Sequence, residues 1–79
     1  MDYNRLMEEV ESINGMCNSE NMYCIEITVD NVRLIFINTR YERCLVTEET
    51  YNTPDNFKLK DALQKILIKY YTEMMKEKL

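Results

Sequence analysis

Apolar side chains recur at Tyr3, Leu6, Met7, Val10 and Ile13. At 100° per residue these five fall within an arc of about 120°, so the spacing predicts an amphipathic helix with a narrow buried stripe. Asn14-Gly15 follows. Glycine carries no Cβ to penalise left-handed backbone, so a left-handed C-cap is expected there. The polar run from 16 to 21 reads as a connector.

The period then changes from 3.6 to 2. Tyr23, Ile25, Ile27 and Val29 alternate with Cys24, Glu26 and Thr28, the pattern of a half-buried strand. Asp30-Asn31 suits a two-residue hairpin turn because both residues tolerate positive φ. Folding about that turn predicts the pairs Val29 with Val32, Ile27 with Leu34 and Ile25 with Phe36, all on one face. The second strand also places Ile35 and Ile37 on the opposite face, either as scattered surface residues or as an apolar patch with Cys24. A third strand is expected near 43–50. For its core side, Cys44/Val46 and Leu45/Thr47 are equally good candidates.

Thr53-Pro54 reads as a helix start, with threonine as N-cap, proline at the first helical position and Asp55 beside the positive dipole end. No glycine or proline interrupts the chain from there to about Lys78. Leu59, Leu63, Ile66, Tyr70 and Met74 form the main apolar stripe. A helix of about 24 residues would be roughly 36 Å long, longer than strands of 5–6 residues, so its end is expected to project. The predicted fold is a single α+β domain over 1–79, in the order αβββα, with a three-stranded antiparallel meander and both helices on one sheet face.

Composition narrows the function. The chain has 79 residues, 46% hydrophobic and 30% charged, the balance of a globular protein. Its apolar runs are too short to span a bilayer and its start lacks the features of a secretory signal, so no membrane association and a cytoplasmic location are expected. Cys17, Cys24 and Cys44 are an odd set without CxxC spacing and are expected to be reduced, with Cys24 and Cys44 packed in the core. With no histidine in the chain, zinc binding is not expected. Nucleotide-binding loops and Ser/His/Asp sets are absent, and Glu8-Glu9 and Glu48-Glu49 are sequence neighbours whose side chains diverge. The chain is therefore expected to act without catalysis, metal or cofactor.

The net charge of −4 hides an asymmetry: residues 1–30 carry seven carboxylates against Arg5, whereas residues 58–79 carry six lysines against three carboxylates. Three surfaces follow. Glu8, Glu9, Glu11, Glu26, Asp30, Glu48 and Glu49 are candidate partner-binding residues, since an acidic surface complements a basic groove; ordinary solubilising charge gives the same composition. Ile68, Tyr71 and Met75 lie beside the main stripe of the last helix, where either the first helix packs or an oligomer seam forms. Lys58, Lys65, Lys69 and Lys76 fall within about 40° of one another, suiting either a phosphate backbone or solvent.

The αβββα order resembles the double-stranded RNA-binding domain. Lys58 and Lys60 stand near the place of that family's basic cluster, although Phe57-Lys-Leu-Lys-Asp-Ala-Leu-Gln-Lys65 replaces its KKxAK-type signature. In size, acidity, element order and richness in Asn, Ile, Lys, Tyr and Glu, the whole chain also resembles small phage-encoded anti-CRISPR proteins of the Cas9-inhibitor type. That resemblance implies a phage protein, in the host cytoplasm, that binds a CRISPR effector nuclease and occludes its DNA-binding or catalytic surface. The alternatives are an oligomerising regulatory module, including a homodimer, and a nucleic-acid binder using the lysine row.

Overall fold

A computed structural model of the chain describes residues 2–16, 22–38, 40–51 and 56–77. Helix α1 (Tyr3–Gly15) is followed by strands β1 (Met22–Ile27), β2 (Asn31–Ile37) and β3 (Arg43–Thr50) and by helix α2 (Asn56–Glu77). The strands form an antiparallel sheet in the order β1-β2-β3. Both helices share one core with the same sheet face, an α+β fold in which Leu6, Val10 and Ile13 of α1 and Leu63, Ile66 and Tyr70 of α2 meet Tyr23, Ile25, Val32 and Leu34. Within this core Tyr70 meets Tyr23 edge-on, with ring centroids 5.7 Å apart, a favourable aromatic geometry.

Each end of α1 departs from or adds to the sequence pattern. At its start the Asp2 carboxylate accepts from the Arg5 amide at 2.9 Å, satisfying one of the first-turn donors that a helix leaves unpaired. At its other end the expected left-handed glycine cap does not occur. Gly15 completes the helix, and Met16 closes it in right-handed geometry at φ −93°. Asn14 is engaged elsewhere: its side-chain amide donates to the Ile25 carbonyl at 2.8 Å, and its side-chain oxygen accepts from the Ile25 amide at 2.7 Å. The last turn of α1 is thereby tied to the free edge of β1.

The hairpin register is two residues away from the expected one. Ile27 pairs with Val32, Ile25 with Leu34 and Tyr23 with Phe36, which leaves Val29 in the turn at 90% exposure. A shift of two preserves which face each side chain occupies, so the apolar pattern alone does not distinguish the registers. The turn chemistry does. The Thr28 amide donates to the Asn31 carbonyl at 2.8 Å, the Asn31 amide donates to the Thr28 hydroxyl at 3.0 Å, and the Thr28 hydroxyl meets Asp30 Oδ1 at 3.0 Å. These local bonds favour a loop over 28–30 rather than a positive-φ pair at 30–31. Tyr51, just beyond β3, is buried and donates its hydroxyl to the Thr28 carbonyl, pinning that loop from the other side of the sheet.

A bulge at Leu34/Ile35 settles the open question of β3. Cys44 pairs with Phe36 and Leu45 with Ile35; the next pair is Thr47 with Leu34, so Val46 is the extra residue. Val46 packs against the core, whereas Leu45 is exposed on the opposite face. Two cysteine expectations are corrected. Cys44 is a free but exposed thiol at the start of β3, where Arg43, Cys44 and Leu45 are all exposed, and Cys24 is disulfide-bonded rather than reduced. Cys17 and the Thr53-Pro54 helix start lie outside the described residues. Among the described residues, no helix is long and apolar enough to cross a membrane.

Candidate binding surface

The seven candidate carboxylates do not form one surface. On the sheet face away from the helices, Glu26 pairs with Arg43, and Glu48 pairs with Arg33 at 3.1 Å. Arg43 stands opposite Ile37 and Glu26 opposite Arg33, so their ion pair bridges from β3 to β1 across β2. Ile35 is the β2 residue between those two positions on that face, and it is only 6% exposed although no helix covers it. Cys24 and Leu45 stand directly opposite it on either side, and the Arg43 side chain reaching over β2 to Glu26 adds its methylene stem to that cover. Two of the seven carboxylates are thus neutralised and serve the sheet.

Asp30 belongs to the hairpin turn through Thr28. Glu49 lies in a polar cleft of about 320 Å³ with Tyr51, Lys58, Asp61 and Lys65. The remaining three are on α1. Glu8 and Glu11 are exposed, and Glu9 is half-buried at the boundary with α2.

That boundary is a groove of about 460 Å³ lined by Leu6 and Glu9 of α1 and by Gln64, Leu67, Ile68 and Tyr71 of α2. The Tyr71 hydroxyl lies beside the Glu9 carboxylate. Burial raises the Tyr71 pKa above its ordinary 10.0, and the Glu9 charge raises it further. Both effects favour the neutral phenol: burial disfavours a phenolate, and a nearby carboxylate repels one. The α2 flank, where either packing of the first helix or an oligomer seam was expected, is open, with Ile68 67%, Tyr71 47% and Met75 68% exposed. Helix α1 touches this flank at Tyr71 without covering it.

The lysine row is partly compensated by its own helix. Lys65 pairs with Asp61 at 3.2 Å, and Glu73 receives Lys69 at 3.0 Å and Lys76 at 3.4 Å. The Lys69 hydrogen bond is the main cause holding the Glu73 carboxyl below its ordinary pKa. The periodicity of the sequence marked both the lysine row and the apolar flank. It could not mark Arg43 and Arg33 as partners of Glu26 and Glu48, since those pairs depend on strand register. The apolar and acidic arrangement at the α1–α2 boundary has the chemistry of a binding surface. Comparisons with family models, curated proteins and solved structures return no match for this chain.

Proposed function

We propose that this chain is a non-enzymatic, protein-binding inhibitor of the anti-CRISPR kind, which occupies the basic groove of a nucleic-acid-binding effector with an acidic surface. The observation that carries the reading is the state of the α1 carboxylates. Glu8 and Glu11 are exposed on a helix whose charge is set by Asp2, Glu8, Glu9 and Glu11 against Arg5. Glu26 and Glu48, by contrast, are held by arginines. The acidic surface offered to a partner therefore narrows from seven residues to the outward side of α1, since Asp30 is bonded into the hairpin turn and Glu49 faces the lysines of α2.

A rigid helix carrying spaced carboxylates resembles one strand of a phosphate backbone in charge. It would gain affinity by entering a groove lined with Lys and Arg, and would steer its own association with that groove. The lysine row gives less support to direct nucleic-acid binding, because three of its members are engaged with Asp61 and Glu73.

The test is competition. Purified chain is mixed with a guide-loaded CRISPR effector nuclease, and DNA binding by the effector is measured with and without Glu8→Lys, Glu9→Lys and Glu11→Lys together. The unsubstituted chain is expected to abolish DNA binding and the triple reversal to restore it by about tenfold or more, with the effect weakening as salt rises. Inhibition that survives the triple reversal unchanged overturns the acidic-surface mechanism.

A further inference from the structure

The exposed flank of α2 carries a second pattern that the core does not use. Gln64, Ile68, Tyr71 and Met75 are spaced four, three and four residues apart, the spacing that keeps one seam of a helix against another helix over several turns. Ile68, Tyr71 and Met75 are open to solvent, while the core stripe of Leu63, Ile66 and Tyr70 is buried. A single α2 therefore carries two apolar faces, and the sheet takes one of them.

The two borders of the open seam have opposite charge. Proceeding round α2 at 100° per residue, Leu67 and Tyr71 lie on the side of α1, then come Met75 and Ile68, and then Lys65, Lys69 and Lys76. One border is α1 with Glu8 and Glu9; the other is the lysine row. We infer that the occupant of this seam is a second copy of the same chain, docked with the two α2 helices parallel about a twofold axis along their length.

Charge selects that arrangement. With parallel α2 helices the twofold axis brings the α1 border of each copy against the lysine border of the other. Glu8 and Glu9 then face Lys65 and Lys69 of the second copy on both sides of the seam. With antiparallel helices the same symmetry sets α1 against α1 and lysines against lysines, repelling on both sides. Lys65 and Lys69 keep 56% and 38% of their side chains exposed beside Asp61 and Glu73, so each can share its charge with a carboxylate of the second copy without giving up its partner on α2. Parallel pairing also sets Gln64 against Gln64, and a polar residue at one seam position is a recognised device for fixing register.

This association goes beyond the inhibitor reading and is measured on the chain alone, so either can fail without the other. Because Glu8 and Glu9 would serve both contacts, the monomer would be the inhibitory form. The experiment is sedimentation equilibrium of the full chain across a wide concentration range. The mass is expected to rise from 9.6 kDa to twice that value. Ile68→Asp, at an exposed position that folding does not need, is expected to weaken the dimer by about tenfold or more, as is Glu8→Lys with Glu9→Lys. Adding Lys65→Glu and Lys69→Glu to that charge-reversed chain is expected to restore self-association, since the borders have then exchanged signs. A monomer at every concentration overturns the proposal. So does a dimer indifferent to Ile68→Asp or to the first charge reversal, or a four-residue swap that fails to restore association.

Discussion

β1 and β3 are both edge strands, yet the two edges are treated differently. At β1 the amide and carbonyl of Ile25 are both taken by the Asn14 side chain, so the helix in front of the strand closes its edge. At β3 no described side chain plays that role; the edge carries Glu48 and Glu49 and is distorted by the bulge at Val46. Charge and irregularity are the usual means of discouraging another strand from adding to an open edge. The contrast teaches that one edge is built into the fold and the other is protected by what it displays. Substitutions on the β1 side should therefore reduce stability, and those on the β3 side should change association more than folding.

The largest difference is expected between Ile25→Ala and Leu45→Ala. Ile25 is buried between α1 and the sheet, and its truncation is expected to reduce unfolding free energy by about 2–5 kcal/mol. Leu45 is exposed on the open face, and its truncation is expected to change stability by less than about 0.5 kcal/mol. Chemical denaturation of both variants measures the contrast, and equal losses would break it.

Asn14→Ala comes next. It leaves a donor and an acceptor of Ile25 without partners in a partly buried place, for an expected loss of about 2–3 kcal/mol. Asn14→Asp retains the acceptor and loses the donor, so an intermediate loss is expected. If Asn14→Ala melts with the parent chain, the edge-closing role is wrong. Arg43→Ala follows, with an expected loss of about 0.5–1 kcal/mol, in part from uncovering Ile35 and in part from the exposed pair with Glu26. Arg43→Lys should recover less than full stability, and hydrogen exchange at Ile35 should report the loss of cover.

The smallest effect is a titration. The Tyr71 pKa is raised in the folded chain, so the fold favours its neutral form; that contribution is present below the ordinary tyrosine pKa and is lost as pH rises through the folded value. Glu9→Gln removes the nearby charge and is expected to move the tyrosinate absorbance transition of Tyr71 downward, though not fully to 10.0, since burial remains. No movement would dissociate Tyr71 from Glu9.

Element identity and order were legible in the sequence because periodicity is a local property. The 3.6-residue stripes of Leu6, Val10 and Ile13 and of Leu63, Ile66 and Tyr70, and the period-2 run from Tyr23 to Ile27, each mark a face that must be covered. The open flank of Ile68, Tyr71 and Met75 was legible for the same reason. Gly15 misled because a glycine after an asparagine is a frequent cap, whereas here Asn14 is recruited across to β1.

What the sequence by itself determined is therefore the set of elements, their order and the face each buries. What only the tertiary structure decided is who stands opposite whom. The hairpin register moved by two residues because Thr28, Asp30 and Asn31 bond among themselves. The bulge put Val46 against the core and Leu45 outside. Glu26 and Glu48 left the acidic surface when register brought Arg43 and Arg33 within reach, while Glu8 and Glu11 remained on it. The physical reason is range: burial preference is written residue by residue along the chain, but hydrogen bonds and ion pairs between strands depend on a partner whose position only the assembled sheet fixes.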